Sequence, residues 1–140
     1  MRTRILILGL TYLLMLGSAF SVEKADILNH NWQSLFTEPI ETLYIITKDS
    51  QAFKYSNQNE VGICVDVGRL EGALRNSEGK GYGIGDIAIF IHNHLTVCRF
   101  SSADRKLYRT LKEEGFNGLF LVYCHTSKKT YDIEGDKKSN

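Results

Sequence analysis

The residues best equipped for chemistry fall in one stretch, Ile87 to Asp104, which reads IAIFIHNHLTVCRFSSAD. His92 and His94 are two positions apart, and alternate side chains of an extended strand point to one side. Both imidazoles therefore face the same way at the end of an apolar run, where open α/β sheets build their sites. Two histidines and one carboxylate with a position left open describe a catalytic zinc centre. Asp104 is the nearest downstream carboxylate, in the first turn of the next expected helix and within loop reach of both rings. The same donor set also suits non-haem iron. Ser101-x-x-Asp104 ahead of an apolar helix is at the same time a capping-box pattern, which the helix dipole favours in its own right.

The elements that must hold these residues follow from the hydrophobic pattern. Residues 22–36 carry Ala25, Ile27, Leu28, Trp32 and Leu35 at roughly helical spacing, and Pro39 ends that lead-in. His30 is read there as a partly exposed helix residue with no role. Extended segments are expected at 42–47, 52–55 and 61–67, followed by a short helix over 68–76. The glycine-rich stretch 77–85 precedes a strand instead of following one, so it is read as a connector and not as a phosphate loop. Ile87 to Ile91 is apolar on both faces, as a buried central strand should be. A helix over 104–114 with Leu107, Tyr108 and Leu111 on one face stops at Gly115. Leu119 to Cys124 is a second buried strand, 130–133 an edge strand, and 134–140 a charged, frayed tail. Strands alternating with helices predict one α/β domain, a mixed β-sheet flanked by helices in a three-layer-like arrangement.

The N-terminus has a different character. Arg2 and Arg4 precede sixteen uncharged residues from Ile5 to Phe20, with Gly17, Ser18 and Ala19 at the exit. A basic start, a short apolar run and small residues make residues 1–19 a secretory signal peptide. A spanning helix needs about 20 apolar residues, so anchoring in the membrane is expected only if the leader stays uncleaved. The chain has 17 basic and 16 acidic side chains; removing Arg2 and Arg4 leaves 15 against 16, a net of −1. That balance excludes an electrostatic footprint for nucleic acid. Export to a periplasmic or extracellular space would place Cys64, Cys98 and Cys124 under oxidising conditions. Cys98 lies in the loop after the histidines and Cys124 ends the neighbouring strand. A Cys98–Cys124 disulfide, a fourth metal ligand at Cys98 and a free thiol are all open to that residue.

Joined in this order, the His92-x-His94 pair, the short loop and Ser101-x-x-Asp104 resemble the JAMM motif of MPN-domain metalloproteases. The literal His-Asn-His followed by a serine–aspartate helix start is similar to the bacterial RadC-like branch. The resemblance spans roughly residues 38–134 and departs from the family twice: the loop Leu95–Phe100 is one residue shorter, and Leu95 stands where the family has proline. It implies an MPN-like fold over 38–134, behind a lead-in at 20–37 and ahead of a tail at 135–140. It implies that His92, His94 and Asp104 bind one catalytic Zn2+ and that Ser101 donates to the substrate carbonyl. It also implies a glutamate general base, for which Glu41, just before an apolar strand, is preferred over Glu38, Glu60 and Glu71.

The expected activity is therefore that of an exported zinc hydrolase cleaving an amide, peptide or isopeptide bond in a peptide or protein substrate. Zinc would bring the pKa of a bound water to about 7, and Glu41 would take its proton and pass it to the leaving amine. The alternative expectation is a non-catalytic envelope binding or scaffold protein that keeps the fold around a degenerate metal site. The sequence identifies neither the substrate nor the oligomeric state.

Overall fold

The computed structural model describes residues 3–4, 27–56, 65–76 and 81–136. Most of the stretch expected to be a signal peptide, residues 61–64 of the 61–67 segment with Cys64, Glu60, residues 77–80 of the glycine-rich stretch and the last four residues lie outside them. No helix among the described residues is long and apolar enough to cross a membrane.

The β-branched and aromatic runs form the sheet. Its strands are β1 (Thr3–Arg4), β2 (Thr42–Thr47), β3 (Ala52–Ser56), β4 (Ile87–His94), β5 (Leu119–Cys124) and β6 (Lys129–Asp132). Their spatial order is β1-β3-β2-β4-β5-β6, so five strands from residue 42 onward carry the sheet and the two-residue β1 lies at one edge. All neighbours are antiparallel except β4 and β5, which run parallel in register from Ile89↔Leu119 to His94↔Cys124. A parallel pair needs a crossover connection, and α2 (Ser102–Glu113) lies within it. The sheet is thus mixed, and the domain α/β.

β4 is the central strand. Ile87, Ile89 and Ile91 are fully buried and Phe90 nearly so, as the two-sided apolar run requires. One face packs Leu43, Ile45, Phe90, Phe120 and Val122 against Leu70 and Leu74 of α1 (Val67–Arg75) and Tyr108 and Leu111 of α2. The other face packs Tyr44, Ile46, Ile89, Ile91, Leu121 and Tyr123 beneath Ile27, Trp32 and Phe36 of the lead-in. Both faces are covered, one by α1 and α2 and the other by the lead-in.

Several expectations change. β4 runs three residues past Ile91, so both histidines are strand residues. In the lead-in the residues 27–36 do not continue as a regular helix; a 3-10 turn spans Trp32–Ser34. The Trp32 indole N–H donates to the Ile27 carbonyl at 2.8 Å, and Phe36 stacks on Tyr123. Burial of these rings on the sheet overrides helical propensity. The segment expected to be extended to Val67 instead turns into α1, because Asp66 caps it: its carboxylate accepts from the Arg69 N–H at 3.0 Å. The start of the charged tail is not frayed either. Ile133–Asp136 forms a single turn, α3, that docks on the body, with Asp136 paired to Arg105 and Glu134 accepting from the Tyr108 hydroxyl.

Candidate metal centre

Alternation along β4 sends Phe90, His92 and His94 toward the α2 face of the sheet and Asn93 toward the lead-in face. α2 begins directly across from the histidines. Ser101 is its N-cap, its hydroxyl accepting from the Asp104 N–H at 3.0 Å, and the Asp104 carboxylate returns to the Ser101 N–H at 2.8 Å. This capping box supplies two of the orphan N–H groups of the helix with partners. It also fixes Asp104 so that its carboxylate reaches β4, with Oδ2 shared between the Ser101 N–H and His94.

The result is a tight cluster. His92 Nε2 and His94 Nε2 are 3.1 Å apart. Asp104 Oδ1 is 3.1 Å from His92 Nε2 and Oδ2 is 3.3 Å from His94 Nε2. His92 is 6% exposed, and the Asp104 side chain 14%. The His94 Nδ1–H donates to the Val97 carbonyl at 3.0 Å, which turns the Nε2 lone pair inward. His92 Nδ1 is buried and has no hydrogen-bond partner among the described residues. Leu43, Val65, Phe90 and Leu107 line a small cavity of about 20 Å³ against His92 and Asp104, large enough for one water.

Electrostatics follow from the geometry. Burial raises the Asp104 carboxyl, but hydrogen bonds from His92 and His94, the charge of His92 and the Ser101 N–H outweigh it. Its pKa is held well below the usual carboxylate range. Burial likewise lowers the His94 imidazole, and is outweighed by the Asp104 carboxylate, the Val97 carbonyl and the charge of Glu41; the net effect raises it.

The donor set, two imidazole nitrogens and a carboxylate, suits a divalent metal ion. Nitrogen and oxygen ligands at 2.0–2.1 Å from a tetrahedral centre stand about 3.3 Å from one another; the two Nε2 atoms are 3.1 Å apart, and Asp104 meets them through different oxygens, Oδ1 at 3.1 Å from His92 and Oδ2 at 3.3 Å from His94. One suitable atom from each of the three residues falls within a common span of 4.8 Å. Two inward lone pairs beside a carboxylate this close call for a positive centre, either protons or a metal. The one-residue-shorter loop therefore does not prevent Asp104 from reaching the histidines.

Glu41 is half-buried just ahead of β2. The β2–β4 ladder ends at Leu43↔His92; carried two positions further, that antiparallel register sets Glu41 across from His94, on the histidine face. The influence of its charge on His94 agrees with that placement. Of the rival glutamates, Glu38 is exposed and pairs with Lys54 at 3.8 Å, and Glu71 lies on α1. Ser101 is exposed at the start of α2, beside Asp104.

Two residues given no role from sequence prove connected to the site. Asn93, wholly buried, and His125 lie behind the histidines on the lead-in face, bonded to each other at 2.8 Å. The signal was the asparagine inside a buried strand, a polar group that must find partners. The loop 95–100 is tied down as well: Cys98 and Cys124 form a disulfide with Cα atoms 5.2 Å apart. That removes Cys98 as a fourth ligand and as a free thiol. A second cleft, about 560 Å³, lies between the lead-in and the β5–β6 hairpin and contains none of these site residues. It does not compete with the cluster as the seat of chemistry, having no convergent donor set.

The fold and cluster define a single mixed α/β domain with a buried His-His-Asp triad able to hold a metal ion. Compared with known proteins, the chain matches no family model, no curated protein and no solved structure.

Proposed function

We propose that the chain is an exported zinc-dependent hydrolase of the JAMM type, acting on an amide, peptide or isopeptide bond of a peptide or protein substrate. The observation that carries this reading is the convergence of His92 Nε2, His94 Nε2 and the Asp104 carboxylate within 3.1 to 3.3 Å. His92, His94 and Asp104 would hold the ion. A zinc ion supplies a Lewis acid that polarises a carbonyl and acidifies a bound water to about pKa 7.

The chain's own groups have complementary tasks. Glu41, whose charge acts on His94, would accept the proton of the attacking water and return it to the leaving amine. The Ser101 hydroxyl accepts from the Asp104 N–H, which leaves its own O–H free to donate to the substrate carbonyl oxygen. One well-placed donor of that kind contributes about 3 kcal/mol. The Val97 carbonyl fixes the His94 tautomer, a role usual for the outer partners of metal-binding histidines. The basic start and apolar run of residues 1–19 support export, and the Cys98–Cys124 disulfide is consistent with an oxidising destination.

The test is hydrolysis by zinc-loaded protein across a panel of peptide and isopeptide substrates. Glu41→Gln should keep its zinc and lose about 10²–10⁴ in rate. A rate unchanged in that variant rejects Glu41 as the base. Zinc-loaded wild type inert on the whole panel favours the non-catalytic scaffold instead.

A further inference from the structure

The middle residue of His-Asn-His has a task of its own. Asn93 points away from the metal cluster and is 0% exposed. Its Oδ1 accepts from the Thr42 N–H at 2.6 Å, and its Nδ2 donates to the Ile40 carbonyl at 3.0 Å. These two main-chain groups stand on either side of Glu41. The second Nδ2 hydrogen is directed to His125 Nε2 at 2.8 Å. His125 is packed edge-on to Tyr123 at 5.2 Å and Phe36 at 6.5 Å, and burial lowers its pKa. With Oδ1 taken by Thr42, the Nδ2–H donates and His125 Nε2 accepts. Because a backbone N–H can only donate and a carbonyl only accept, the amide orientation is fixed by its partners.

We propose that Asn93 is a positioning residue: by gripping the main chain at Ile40 and Thr42, it fixes Glu41 toward the His92–His94–Asp104 cluster. This rests on the reading of Glu41 as the base of a metal hydrolase. The regular β2–β4 ladder stops at Leu43↔His92, so beyond it the side chain of Asn93 is what holds the Glu41 segment to β4. The residue that carries the amide sits between the two metal ligands. One rigid strand thereby sets the positions of ligands and base together, which is how a site is kept to the tolerance its chemistry needs.

The test uses Co2+ as the probe in the full chain carrying ¹³C-labelled glutamate. The Glu41 carboxylate signal is assigned by its disappearance in Glu41→Gln, and its paramagnetic shift reports its placement relative to the ion. Asn93→Ala should bind one Co2+ with unchanged histidine ring signals. Its Glu41 shift should fall by at least about twofold, since positioning matters at the 0.5 Å level. Asn93→Asp keeps the acceptor for Thr42 but not the donor to Ile40, and should give an intermediate shift; it serves also if the alanine variant fails to fold. A Glu41 shift equal to wild type in both variants overturns the role of Asn93 while leaving the metal site standing. Wild type that binds no Co2+ overturns the metal reading itself, and this inference with it.

Discussion

Asp104 joins two structures, the start of α2 and the histidine cluster, and its removal should register in both. Through the capping box its carboxylate serves the Ser101 N–H at 2.8 Å, worth about 1 kcal/mol. Its contacts to His92 and His94 at 3.1 and 3.3 Å are charge-assisted and 86% shielded from solvent, unlike exposed pairs, which contribute about 0–1 kcal/mol. A hydrogen bond to a charged group contributes about 1.5–3 kcal/mol, with desolvation of the carboxylate offsetting part of it. Asp104→Ala should therefore destabilise metal-free protein by about 3 kcal/mol. Ser101→Ala, which touches the cap alone, should cost about 1 kcal/mol. Urea denaturation at pH 6 measures both. Zinc at a hundredfold excess over its dissociation constant should then stabilise wild type by about 2.7 kcal/mol and leave Asp104→Ala unmoved. Equal losses in the two variants, or equal stabilisation by zinc, would refute the dual role.

The remaining predictions concern pH, the disulfide and close packing. Asp104 has a folded pKa below its ordinary 3.8, so its stabilisation is complete above that value and lost as pH falls through the lower folded one. His94 has a folded pKa above 6.5, so its contribution is complete below 6.5 and lost as pH rises through the higher folded one. Metal-free protein should thus be most stable between about pH 4 and 6.5, and urea midpoints that fail to decline toward pH 8 would contradict the pairing. Zinc competes for the same site as the proton, so its affinity should rise over that range. Replacing both Cys98 and Cys124 with serine frees a loop of 26 residues' separation and should cost about 3.5 kcal/mol, read by thermal denaturation; intact mass should rise by two hydrogen atoms on reduction of the native protein. A Cβ on Gly118 would press on the carbonyls of Ala88 and Ile87, the latter at 2.6 Å, so Gly118→Ala should lose about 3 kcal/mol in the same assay.

How far the sequence could be read depended on whether the determining interactions were local. The run Leu119–Cys124 and the helix over α2 were legible because hydrophobic periodicity alone specifies them, and Ser101-x-x-Asp104 because a capping box spans four residues. His92 and His94 share a face by strand alternation, and the structure adds that β4 extends through them. The lead-in could be read only as loosely helical, because packing of Trp32 and Phe36 on the sheet, a tertiary interaction, decides where its turns fall. Val67 was misjudged because the cap at Asp66 outweighs the extended pattern before it. The clamp of Asn93 on Ile40 and Thr42 crosses more than fifty positions, and only the register of β2 on β4 creates it. Glu41 could be singled out by its place before a strand, but its position opposite His94 likewise depends on that register.

The most direct test of the account is the zinc content of the protein by elemental analysis, after stripping, reloading with zinc and exhaustive dialysis. One zinc per chain in wild type, and none in His92→Ala or Asp104→Ala variants shown to be folded by circular dichroism, is the predicted result. Wild-type protein that stays metal-free, or variants that keep a full equivalent, would contradict it.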